Sequence, residues 1–178
     1  MLRKVLIVLC VPVCLAMLTG FMHRGVVSGL PEITAAPGQV NPYMTRSELL
    51  MDAARYTGVS TPEQAVDVWA KGLEQRSAAM QYIVMTDALK GEYAKQLDAL
   101  RSNWVTGMSS PWVSGYTVTE ASKPDDAHAE FSLNIETEAA YIHEDYKAKL
   151  WLVREGEFWR IDRIQADPGL YWYTLYQP

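Results

Sequence analysis

Lys149-Leu150-Trp151-Leu152-Val153-Arg154-Glu155-Gly156-Glu157-Phe158-Trp159-Arg160-Ile161-Asp162-Arg163-Ile164 is the stretch that decides the fold. Apolar residues run up to Arg154-Glu155-Gly156-Glu157 and resume after it, as two antiparallel strands joined by a tight hairpin require. The first strand extends back to Ala140. Tyr141, His143, Asp145, Lys147, Lys149 and Trp151 fall on one side of it, and Ile142, Tyr146, Ala148, Leu150 and Leu152 on the other. Further upstream, Ala129, Phe131, Leu133 and Ile135 alternate with Glu130, Ser132, Asn134 and Glu136, which predicts a half-buried strand. Lys123-Pro124-Asp125-Asp126 reads as a turn, with His128 exposed beside it. Trp112 to Thr119 is rich in β-favouring residues, with Gly115 marking a bulge or a close approach.

Before Trp112 the period changes from two to three and four. Thr45-Arg46-Ser47-Glu48 has the form of a capping box ahead of Leu49, Leu50, Ala53 and Ala54, with Gly58 placed to end that helix. Thr61-Pro62-Glu63-Gln64 is a stronger start, and Val66, Trp69 and Leu73 form the apolar stripe behind it. Ser77 to about Asn103 continues as helix, divided near Asp87 to Gly91. Helices followed by an antiparallel meander define an α+β domain.

The N-terminus reads as an address. Arg3 and Lys4 precede an apolar run that reaches Met22, the layout of a signal peptide or signal anchor over residues 1–22. Val5 to Met22 is 18 residues, about 27 Å as a helix against a hydrocarbon core of roughly 30 Å. Small residues suited to cleavage are poorly placed, and both an uncleaved anchor and a cleaved signal remain open. Neither Cys10 nor Cys14 follows the small residues that lipidation needs. With the positive start held inside, the rest of the chain is expected outside the cytoplasm. Residues 23–44 hold Gly25, Gly29, Pro31, Pro37, Gly38 and Pro42 and read as a linker. Residues 45–178 are expected to form one domain, with a core over about 60–166 and an aromatic tail over 167–178.

Composition narrows the function. The chain of 178 residues has a net charge of −5, and the part from Thr45 onward carries 13 basic and 20 acidic side chains. Such a surface repels nucleic acid and anionic lipid, whose phosphates need clustered Lys and Arg. Both cysteines lie in the first 22 residues, so the exported part has no thiol, which suits an oxidising compartment. A GxSxG elbow and a Gly-rich phosphate loop are absent from the sequence. His143, Glu144 and Asp145 are neighbours in a strand and therefore point to opposite faces, so no metal site is expected. No cofactor is expected either.

The order of elements resembles the NTF2-like cone, the superfamily that includes ketosteroid isomerase-like proteins. The resemblance rests on the amphipathic helix Pro62 to Gln75, the helical pair after it, and the hairpin Lys149 to Ile164 around Glu155-Gly156-Glu157. It implies helices packed on a curved antiparallel sheet. It does not choose a function, because the superfamily includes isomerases, dehydratases, transport factors and catalytically silent extracytoplasmic domains. An enzyme of this kind would need an acid or base inside the cone, and His143 with Asp145 is the pair that spacing allows. Lys147 and Lys149 continue their face, which favours a solvated stripe. Asp162, between Arg160 and Arg163, reads as a surface ion-pair partner.

Trp69, Tyr82, Tyr93, Tyr116, Trp151 and Trp159 are candidates to line a pocket or to fill it. Tyr171, Trp172, Tyr173 and Tyr176 either form a partner-binding platform or pack back on the domain. The residues therefore favour a non-catalytic extracytoplasmic domain of bacterial type, tethered by its N-terminal segment or secreted, that binds or scaffolds a partner such as an envelope protein, or a ligand, through its concave sheet or aromatic tail. The alternative is a small enzyme or carrier holding an apolar ligand inside the cone.

Overall fold

Alternation along the strands sets which face of the sheet is buried. Ala129, Phe131, Leu133 and Ile135 are buried together with Ala148, Leu150 and Leu152, and the residues between them face outward. The computed structural model describes residues 42–178, which form one compact unit. The expected signal or anchor over 1–22 and nearly all of the 23–44 linker lie outside the described residues. No helix among the described residues is long and apolar enough to cross a membrane.

Four helices come first: α1 (Pro42–Arg55), α2 (Pro62–Glu74), α3 (Ala78–Ile83) and α4 (Asp87–Leu100). The sheet follows as β1 (Trp112–Ser122), β2 (His128–Ala139), β3 (Ile142–Glu155) and β4 (Phe158–Ala166), antiparallel throughout in the order β1-β2-β3-β4. The short helix α5 (Tyr171–Thr174) lies near the C-terminus, just after a 3₁₀ turn. This is the α+β arrangement expected from the sequence.

Caps explain the helix starts. The Thr61 hydroxyl accepts from the Gln64 amide at 3.2 Å with Pro62 in the first turn, as the sequence predicts. Ser77 and Thr86 do the same for α3 and α4. The Thr86 cap corrects the expected division at Asp87 to Gly91: the break falls at Val84 to Thr86, and Gly91 sits inside α4. Helix α1 also differs, since it begins at Pro42, ahead of the predicted box at Thr45, and ends at Arg55. Gly58 serves another purpose. A Cβ there would stand 2.5 Å from the Phe158 ring, so the chain can pass against β4 only without a side chain.

Bulges curve the sheet. Register shifts lie at Val113/Gly115 and Val118/Glu120 in β1, and at Trp151/Leu152 of β3, where Asp162 is the unpaired residue of β4. At the turn between β3 and β4, Gly156 has φ +63°, the positive value that a two-residue hairpin asks of its first central position.

The two sheet edges differ. Along β4 the Trp159 amide donates to Val59 O at 2.9 Å, the Ile161 amide to Val84 O at 2.7 Å, and the Thr86 amide to Ile161 O at 2.9 Å. Helix connections thus occupy the hydrogen-bonding edge of the last strand. Arg160, 4% exposed, runs beside them and donates to Ile83 O and Thr57 O, each at 3.0 Å, with Glu155 paired at 3.3 Å. The other edge, β1, is mostly exposed.

Candidate functional site

The space between helices and sheet is the first place to seek a site, and side chains occupy it. Trp69 and Tyr93 are fully buried there, packed with Leu73, Leu97, Leu133, Ile135 and Leu150. Tyr82 and Trp159 are buried in the same cluster. Four of the six pocket candidates therefore contribute bulk to the core. Tyr116 is half-buried and packed against that cluster. Trp151 departs from the expectation: its register partners are Glu130 and Arg163, which places it on the face opposite Leu150 and Leu152, outside the cone.

Between α4 and the far end of the sheet, the C-terminal tail covers the core. Asp167 anchors it to β3, donating its amide to Lys147 O at 2.9 Å and accepting the Lys147 amide on its carboxylate at 2.7 Å. Leu170, Tyr173 and Tyr176 are then buried. The Tyr93 hydroxyl donates to Thr174 O at 2.6 Å, and Gln96 and Gln177 exchange two bonds of 2.8 Å. Burial keeps the Tyr93 phenol protonated far above its ordinary range. Gly169 lies so close to the Tyr146 ring that no side chain fits there. Of the four tail aromatics, Tyr173 and Tyr176 pack inward, Tyr171 is half-buried, and Trp172 stands out at 58% exposure.

His143 and Asp145 are both exposed on the outer face of β3, opposite Glu138 and Glu136 of β2. No hydrogen bond joins them among the described residues. A pairing that the sequence missed is Tyr116 with Asp67: the phenol donates to Asp67 Oδ1 at 3.0 Å, and Lys71 holds Oδ2 at 2.8 Å. Asp67 reads as an outward helix residue, and only its Lys71 partner four residues on hints at an ordered carboxylate. The Lys71 hydrogen bond holds Asp67 below the usual carboxylate range, while burial pushes the Tyr116 hydroxyl up to about 12. A general acid or base works best with a pKa near the working pH, and this pair is moved away from it on both sides.

Polar atoms inside the core are few. Trp69 Nε1, Gln81 Oε1 and Lys90 Nζ have no hydrogen-bond partner among the described residues. Lys90 is 2% exposed, faces Asp87 at 3.6 Å and lies 5.6 Å from the Tyr82 ring centroid. Burial, and then the Arg160 charge, push its ammonium below the ordinary lysine range.

The concave feature that stands out lies on the outer face. A groove of about 400 Å³ is walled by Pro124, His128, Glu130, Trp151, Asp162 and Arg163. Register builds it: Glu130, Trp151 and Arg163 form one row across three strands, and His128 lies beyond them opposite Val153. The Arg163 guanidinium stacks 3.6 Å from the Trp151 ring centroid, with Lys149 Nζ at 4.9 Å. Lys149 pairs with Glu130 at 2.8 Å and holds that carboxyl below its usual range. His128 Nδ1 meets Asp125 at 2.9 Å on the adjoining turn. Asp162, expected as an ion-pair partner beside Arg160 and Arg163, is within ion-pair distance of neither among the described residues: the Thr86 hydroxyl holds it at 3.3 Å, and Arg160 turns along the edge to Glu155. Among the described residues no cluster of three potential metal ligands occurs.

The sequence matches no family model and no curated protein. Solved structures are similar to it in shape. One is described as a calcium/calmodulin-dependent protein kinase type II association domain from Thiobacillus denitrificans, at 15% identity and TM-score 0.50, covering 63% of this chain and 98% of that one. A SEC-C motif containing protein from Rhodopseudomonas palustris matches at 9% identity and TM-score 0.49, over 65% of this chain and 85% of its own. An NTF-2 like protein of unknown function from Shewanella oneidensis matches at 10% identity and TM-score 0.46, over 58% and 93%. Identities this low carry fold and nothing further. Helices laid on a four-stranded antiparallel sheet are the α+β architecture of this chain, and the Thiobacillus denitrificans domain shares that fold.

Proposed function

We propose that the protein is a non-catalytic binding or scaffolding domain on the far side of the cytoplasmic membrane, held there by residues 1–22 or released if they are cleaved. The observation that carries this reading is the packed interior. Trp69, Tyr93, Ile135 and Leu150 fill the cone, and the tail covers its end, so the solvent-facing side of the sheet is left as the working surface. The acid–base candidates support the same reading. His143 and Asp145 face solvent, and Asp67 and Tyr116 are tuned away from proton transfer near neutral pH. A carrier for an apolar ligand would need side chains of the core to leave their places, at about 2–5 kcal/mol for each large residue lost from packing.

Topology is tested by adding protease to intact spheroplasts that express the full chain with a C-terminal epitope. The expected result is loss of the epitope before lysis, while a cytosolic marker survives. An epitope that survives until the cells are lysed overturns the proposal.

A further inference from the structure

We propose that the outer groove binds a small zwitterion of the amino-acid or dipeptide class, with Arg163 taking the carboxylate and Asp162 and Glu130 facing the ammonium. This rests on reading the outer face as the binding side. Arg163 is the group that decides the ligand. The Arg163 guanidinium carbon lies over the Trp151 ring, 3.6 Å from its centroid, so the ring backs the fork and limits its movement. Arg163 has no ion pair among the described residues, whereas its neighbour Lys149 is committed to Glu130 at 2.8 Å. A guanidinium held in this way presents its in-plane N–H groups for a bidentate carboxylate.

The opposite charge comes from the bulge. Asp162 is the residue of β4 without a register partner, and the bulge turns it into the same groove. Among the described residues only Oδ1 is engaged, by the Thr86 hydroxyl at 3.3 Å, which leaves Oδ2 to accept an ammonium. Glu130 uses Oε2 for Lys149, and the Trp151 indole and the Arg163 charge also support its carboxylate, so it lends negative potential to the groove more than a free acceptor. These two carboxylates exclude the simpler choice of an anion. A phosphate or a dicarboxylate would bring its second negative charge against them, in a domain that already carries an excess of acid. Pro124 and Val153 supply the apolar wall, and about 400 Å³ falls within the roughly 300–1,000 Å³ of small-molecule sites.

The test is a titration of the full chain in neutral detergent micelles, followed by NMR at the arginine Nε–H and tryptophan indole N–H signals. Three probes are compared: alanyl-alanine, its N-acetyl derivative, and its C-terminal amide. The dipeptide is expected to give saturable shifts, and each blocked form to bind about tenfold more weakly, the loss expected for one charged hydrogen-bonding contact. In Arg163→Gln the distinction between the acid and the amide should vanish, and Arg163→Lys should restore only part of it. Absence of saturable shifts with all three probes overturns the proposal, as does equal affinity for them. If a variant fails to fold, the comparison of probes on the natural chain still decides. The titration is blind to which side of the membrane the domain occupies, so its failure and that of the topology experiment are told apart.

Discussion

Ending the chain at Asp167 should unfold the domain at temperatures where the intact protein stays folded. The truncation removes Leu170, Tyr173 and Tyr176, all buried, and exposes the core face they cover. At about 1.5–3 kcal/mol for each large apolar side chain, the loss is on the order of 5–8 kcal/mol. Domains of this size have only about 5–15 kcal/mol in total. The Tyr93 hydroxyl also exchanges Thr174 O for water, which adds little to the loss. Trp172→Ala serves as the contrast, since that ring stands mostly in solvent and should change stability by less than about 0.5 kcal/mol. Thermal melts followed by circular dichroism measure both. A truncated chain that melts with the intact one would show that the tail lies on the surface without supporting the core.

Arg160→Ala should cost about 3 kcal/mol. Its side chain satisfies the carbonyls of Ile83 and Thr57 and pairs with Glu155, so at least these three groups lose a partner together, and removing the buried member of such a charged network is worth about 3–5 kcal/mol. One effect runs the other way. Arg160 is the second cause, after burial, of the lowered Lys90 pKa, and its removal relieves some repulsion. The largest cause remains in place, so the loss prevails and sets the lower end of the range. Urea unfolding should show a lower midpoint with an unchanged slope. Arg160→Lys should fall between the two, because a single ammonium cannot reach both carbonyls and the carboxylate. An unchanged midpoint would mean that the β4 edge is held by its backbone bonds alone.

The strands were legible because one face of the sheet is wet. Alternation from Ala129 to Ile135, and the charged stripe beside Leu150 and Leu152, fix which face is buried. Helix starts were legible wherever a cap precedes the stripe, as at Thr61. The break between α3 and α4 is hidden in the sequence because Thr86 caps at the end of an apolar run, whereas Gly91, the more conspicuous interruption, sits inside the helix. The site was harder to read. Trp151 counts as a pocket aromatic by composition and as part of the charged face by parity, and only the register with Glu130 and Arg163 decides for the second. Asp162 joins the groove through a bulge that no local pattern announces. Asp67 finds Tyr116 across 49 residues of sequence, a distance over which periodicity says nothing.

Xenon under pressure, followed by methyl shifts of Leu133, Ile135 and Leu150 in the intact chain, probes the solid interior on which the account rests, because empty apolar cavities in proteins take up xenon. Methyl signals that stay unmoved are the predicted result. Saturable shifts of these methyls would reveal a cavity between the helices and the sheet and would contradict it.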